Sequence, residues 1–254
     1  MSKAITIGLA LALSMTVATV QAAYAATPIY VYGPGGPAPA MTEAARQFGA
    51  AHHIKVIVVA GPTPKWLDMA KTNADLIFSG AETMMSDFQA AMPTEIDPTT
   101  VEPLYLRPAA ILVRPGNPDH ITGITDLFKS GHHILVVNGA GQQGLWEDVA
   151  GRTGSIADVQ GFRRNIAVVA GNSAVARADW IKDKSLDAWL IWNIWQVANP
   201  TLATTVSIAP KYQIYRDAGI ALTHAGEARP VVKQFAAFLA SPQGRAIFAK
   251  WGWQ

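Results

Sequence analysis

The chain has 254 residues, half of them hydrophobic and only 15% charged, with a formal net charge of +2 and no cysteine. So weak a charge, without a basic run, excludes nonspecific nucleic-acid binding, and the lack of cysteine excludes disulfides, thiolate metal sites and thiol nucleophiles. The length suits one large domain or two lobes of about 100 residues each.

Residues 1–25 have the pattern of a secretory signal. Lys3 supplies the basic start, residues 5–20 the apolar stretch, and Ala23-Tyr24-Ala25 a small-x-small cleavage site. The apolar run is short and no basic stop-transfer cluster follows. Cleavage after Ala25 and export are therefore expected, in preference to a membrane anchor.

The rest of the chain alternates strands with helices. An apolar strand at 28–32 leads through Gly33-Pro34-Gly35-Gly36-Pro37 into a helix over 38–51, with Met41, Ala44, Ala45 and Phe48 on one face. Residues 54–60 form a β-branched strand. Thr63 is the expected N-cap of a short helix through Trp66 and Met69, with Pro64 at its first position. A strand at 75–78 ends at Ser79, and a helix begins near Glu82. This order argues for a parallel sheet covered on both faces.

A loop over 93–103 precedes a long extended segment, 104–113, broken at Arg107-Pro108. Pro115-Gly116-Asn117-Pro118 is a turn cluster and an expected domain boundary. A second alternating block has strands at 134–137, 166–169 and 187–192 and helices at 142–152 and 173–182. After Pro210 come two short extended runs. A helix carrying Val231, Val232, Phe235, Phe238 and Leu239 follows, then a last helix capped by Ser241-Pro242 and ending in Trp251-Gly252-Trp253.

A glycine-rich turn between a strand and a helix holds an anion well, because helix-start N–H groups face outward and glycine lets a ligand approach them. Gly35, Gly36 and Pro37 are the first candidates. The hydroxyls of Ser79 and Thr83, at the end of one strand and the start of the next helix, are further donors. Gly139-Ala140-Gly141-Gln142-Gln143-Gly144 has the G-x-G-x-x-G spacing between strand and helix, and Asp158 lies about 20 residues on. Asp158 does not end an apolar second strand, however, so the dinucleotide reading is rejected. Gly141, Gln142 and Gln143 serve instead as an anion clamp.

Ser173 repeats the arrangement after the 166–169 strand. Trp192 and Asn193 end the 187–192 strand and complete the candidates together with Arg216, whose guanidinium suits a carboxylate or phosphate. The pairs His52-His53 and His132-His133 point apart and lack a partner at ligand spacing, so neither a metal nor another cofactor is expected. No nucleophile elbow, zinc-protease motif or kinase loop is present, so no enzyme is expected.

Four stretches carry a family resemblance. They are Val31 to Pro39, Asp75 to Gly80 with Glu82 to Met85, Asp187 to Trp195, and the ending Phe238 to Gly252. They resemble type II periplasmic solute-binding proteins, the receptors of ABC transporters. Within that class they are most similar to the accessory colonization factor C group, related to molybdate and sulfate receptors. The resemblance implies an α/β, two-lobed fold, each lobe a Rossmann-like mixed sheet flanked by helices, with the ligand cleft between the lobes. Lobe one would comprise 26–110 plus 211–254, and lobe two 111–210, closing by a hinge. Trp192 takes the place of a tyrosine that reaches the oxyanion in molybdate receptors, and its larger ring suits a bigger ligand. The implied role is periplasmic capture of a small anionic solute for an ABC permease. The rival is a colonization factor or adhesin on the same scaffold, and an exported oxidoreductase comes third. The sequence leaves open whether the chain forms a homodimer.

Overall fold

A computed structural model describes residues 27–139 and 141–254. The expected signal and its cleavage site lie outside the described residues. The chain opens with β1 (Ile29–Gly33), α1 (Ala38–His52), β2 (Val56–Ala60), α2 (Leu67–Asn73), β3 (Leu76–Phe78) and α3 (Glu82–Ala91). β1 lies between β2 and β3, parallel to both. Helices cover this sheet, which is why β3 is apolar and buried at every position. α1 buries Ala40, Met41, Ala44, Ala45 and Phe48, and stops where His53 takes a left-handed conformation, φ 52°.

β4 (Glu102–Val113) leaves this sheet for a second one. That sheet is built from β5 (Ile134–Val137), α4 (Leu145–Gly151), α5 (Ile156–Asn165), β6 (Ile166–Ala170), α6 (Ser173–Lys182), β7 (Ala188–Trp192), α7 (Ile194–Ala198) and β8 (Thr204–Ser207). β9 (Tyr215–Leu222) returns the chain, and α8 (His224–Glu227), α9 (Pro230–Ala240) and α10 (Pro242–Lys250) finish it. The strand order is β2-β1-β3-β9-β4-β7-β5-β6, with β8 also on β4. The result is the two-lobed α/β architecture, each lobe a mixed sheet with flanking helices.

β4 belongs to both lobes. Its first half runs antiparallel to β9, from Glu102↔Ile220 to Pro108↔Tyr215. Its second half pairs with β7, starting at Ala109↔Trp192, and with β8. The change falls at Pro108, which has no N–H to give to a ladder.

Several local expectations are corrected. Thr63 makes no capping bond: it lies inside a 3-10 turn over Thr63–Lys65, its carbonyl accepting from Trp66, and α2 starts only at Leu67. The helix expected from residue 142 begins at Leu145, because Gly144 is left-handed, φ 72°. α5 falls where no helix was expected, and Ser155 caps it by accepting from the Asp158 N–H. The two short runs after Pro210 are one eight-residue strand, β9. Ser241 caps α10 as expected, accepting from the Gly244 N–H.

Candidate functional site

The loops after β1, β2, β3, β5 and β6 face one another at the carboxyl ends of their strands, the usual place for ligands in open α/β sheets. They enclose a cavity of about 80 Å³. The first lobe gives it Pro34 to Pro37, Gly61, Pro62, Gly80 and Met84. The second gives Gln142, Asn172 to Ala174 and Trp195. Arg107, from the first half of β4, also lines it. No carboxylate does, among the described residues.

Arg107 is the strongest feature of the cleft. It is 3% exposed, and its guanidinium donates through Nη2 to the Gly80 carbonyl. The guanidinium lies 4.6 Å from the Trp192 ring centre and 5.3 Å from that of Trp253, within cation–π range. Its Nε is buried without a partner. Burial pushes the pKa of Arg107 down to about 9, opposed by the charges of Asp217 and Glu82. At neutral pH this is a buried cation with an unpartnered donor.

Glycine makes room for that cation. A Cβ on Gly36 would stand 3.0 Å from Arg107 Nη1, and one on Gly80 the same distance from Nη2. Both glycines lead into helices, α1 and α3, that carry no side-chain N-cap. The first-turn N–H groups at the cleft are therefore not taken up by a capping side chain. α6 differs: Asn172 Oδ1 accepts from the N–H groups of both Ala174 and Val175.

On the second lobe, Gln142 Nε2 donates to Ser173 Oγ at 2.7 Å. Gln142 is 3% exposed and its Oε1 has no partner. As acceptor of that bond, the Ser173 hydroxyl keeps its own proton for another group. Cationic, hydroxyl and N–H donors on both lobes thus face a mainly apolar space.

The candidates from sequence divide sharply in position. Gly35, Gly36, Pro37, Gln142 and Ser173 line the cleft. Gly141 does not line it but stands at the lobe contact: with φ +76°, its added Cβ would be 3.0 Å from Ala81 Cβ. Trp192 is fully buried beneath Arg107, its Nε1 without a partner. Asn193 ties α7 to the chain end, Nδ2 donating to the Gly252 carbonyl at 2.7 Å. Ser79 is fully buried and its Oγ accepts from the Gly219 N–H at 3.2 Å. Thr83 and Gln143 are exposed and outside the lining. Arg216 also lies outside, paired with Asp148 and 4.0 Å from Glu82.

Beside the cleft, Asp217 is 8% exposed with Oδ1 unpartnered. Burial and the Glu82 charge push its carboxyl up to about 6, against the pull of Arg107. The paired histidines serve other ends: His52 stacks on Phe48, and His132 Nδ1 lies 3.0 Å from Asp187. Sequence reasoning missed Arg107 and, away from the cleft, a group of Asp97, His224 and Glu227, whose ligating atoms fall within 4.8 Å of one another and none of which lines the cleft.

PEB3 from Campylobacter jejuni superposes with a TM-score of 0.83 at 33% identity, over 89% of this chain and 99% of that one. PEB3 bound to L-phospholactate gives 0.84 with the same identity and coverage. The sulfate-binding protein SubI from Mycobacterium tuberculosis (TM-score 0.73, 16% identity, 89% and 86% covered) and the periplasmic molybdate-binding protein of Azotobacter vinelandii (0.66, 16%, 89% and 98%) share the fold. No curated protein matches the chain. The family model of bacterial extracellular solute-binding proteins matches residues 29–254, nearly everything the structure describes, and the chain belongs to that family.

Proposed function

We propose that this protein captures a small organic anion, a phosphorylated acid or a carboxylate, in the periplasm by lobe closure and delivers it to an ABC permease. The observation that carries the reading is Arg107. A buried guanidinium that lines a space without carboxylates, its Nε unpartnered, is costly unless an anion offsets its charge. About 80 Å³ accommodates roughly five to eight water-sized groups, which suits a compact acid. PEB3, at 33% identity, takes L-phospholactate, an acid with two anionic groups.

The donors have distinct parts in this reading. Arg107 and the N–H groups at Gly35, Gly36 and the start of α3 neutralise one anionic group from the first lobe. Ser173, oriented by Gln142, reaches it from the second. The lobes are 26–110 with 211–254, and 111–210, with the crossings of β4 and β9 as hinge. The role is capture and not catalysis: the partner of the Ser173 hydroxyl is an amide, which cannot accept its proton as a base does.

The test is thermal unfolding of the chain from Ala26 with L-phospholactate, sulfate, molybdate, citrate and NAD. A ligand of the folded state raises the melting temperature by mass action. The reading expects a rise with phospholactate or citrate that disappears in Arg107→Met. A rise with NAD alone, or with no anion at all, would overturn it.

A further inference from the structure

Arg216 lies on β9 directly across from Arg107 on β4, beside the point where β4 changes sheets. Its side chain does not enter the cleft. It reaches two carboxylates on two different lobes. Nη2 stands 3.2 Å from Asp148 Oδ2 on α4 of the second lobe, and Nε stands 4.0 Å from Glu82 Oε2 on α3 of the first.

We propose that Arg216 is a positioning residue for lobe closure, a cation that Asp148 and Glu82 share when the lobes are shut and that Glu82 keeps when they part. The inference rests on the closure reading above. Near the crossing strands Asn193 bonds to Gly252, and at the cleft the lobes meet through apolar groups, as where Gly141 faces Ala81 and Met84. Such apolar contacts have no direction and do not define a single shut position. A charge-assisted hydrogen bond does, because the Arg216 Nη2–Asp148 Oδ2 contact at 3.2 Å holds only over a narrow range of distance and angle.

Glu82 moves with Arg216 and Asp148 does not, so the two carboxylates act with opposite sign. Losing Asp148 leaves Arg216 to Glu82 and favours opening. Losing Glu82 frees Arg216 for Asp148 and favours closure. The side chains of Arg216, Asp148 and Glu82 are 27%, 49% and 56% exposed, so water and salt screen the pairs. The bias is several-fold, strong enough to shift a population and weak enough to release it.

The chain has no cysteine, so two labels go where they are placed. Lys71→Cys on α2 and Gln160→Cys on α5, both exposed, carry spin labels on opposite lobes. Interlabel distances are measured without solute, so a wrong choice of anion does not affect the result. Asp148→Asn should raise the ratio of open to closed molecules by about 1.5- to 5-fold at low salt, and Glu82→Gln should lower it by a similar factor. Both effects should vanish in about 1 M NaCl. An unmoved distribution in Asp148→Asn, or a shift of both variants in the same direction, would overturn the latch. A single fixed distance in every variant would overturn the closure reading beneath it.

Discussion

The guanidinium of Arg107 rests 4.6 Å from the ring centre of Trp192, and the two residues come from neighbouring strands at the point where β4 changes partner. The indole holds the cation from below, while Gly36 and Gly80 leave its edges free of side chains.

Arg107→Met should separate binding from stability. Truncating one member of a buried charge contact costs about 2–5 kcal/mol of affinity, a loss of roughly 30- to 5,000-fold. An apolar side chain of similar length also removes an unpaired buried charge, so the solute-free variant should melt at the same temperature or higher. Calorimetric titration and thermal unfolding of the same preparation check both halves.

Two serines should behave in opposite ways. Ser173→Ala removes a hydroxyl that lines the cleft and should weaken anion binding by about 1–3 kcal/mol with little change in melting. Ser79→Ala strips the Gly219 N–H of its Oγ acceptor and should lower stability by a similar amount with little change in affinity. Thr83→Ala, exposed on α3, should stay within about 0.5 kcal/mol in stability. Titration of the three variants against one anion shows the contrast.

Gly141→Ala should loosen the closed form. The position has φ +76°, and the new methyl would stand 3.0 Å from Ala81 Cβ and 3.3 Å from Met84 Cε across the lobe contact. Overpacking of this kind costs about 1–3 kcal/mol. It bears on the shut state, so the solute off-rate should rise while the on-rate holds. Stopped-flow measurement of the two rates decides it.

Asp217 should leave a mark on the pH dependence of stability. Its folded carboxyl is pushed up to about 6 by burial and by Glu82, above its ordinary range. Between that range and about 6 the folded state therefore binds more protons than the unfolded state, and this group's contribution falls as pH rises through the window. Asp217→Asn abolishes that dependence. The variant should gain on the wild type between about pH 4 and pH 7, as seen in unfolding curves at several pH values; parallel curves would refute it.

The alternation of strand and helix was legible because buried parallel strands and amphipathic helices have different hydrophobic periods, as in β3 against α1. The glycine turn after β1 was legible for a similar local reason, since its composition serves its backbone. Arg107 was not, although it interrupts an apolar extended run, and a lone cation there was the available signal. Its meaning depends on Trp192, Trp253 and Gly80, which are distant in sequence and meet it only after β4 has crossed. Arg216 was legible as a candidate from its guanidinium alone, and no local pattern could reveal a partner on α4. α5 was not legible because its polar face outweighs the buried Gly161 and Phe162.

β4 changes partner at Pro108, the residue that follows Arg107. The charge that would meet the solute is carried at the fulcrum and not on either arm. A lever loaded at its fulcrum needs only a small rotation to bring its arms onto the load. On the closure reading, loops at the arm tips, around Gly61 and Asn172, are free to drift toward new solutes without disturbing the pivot.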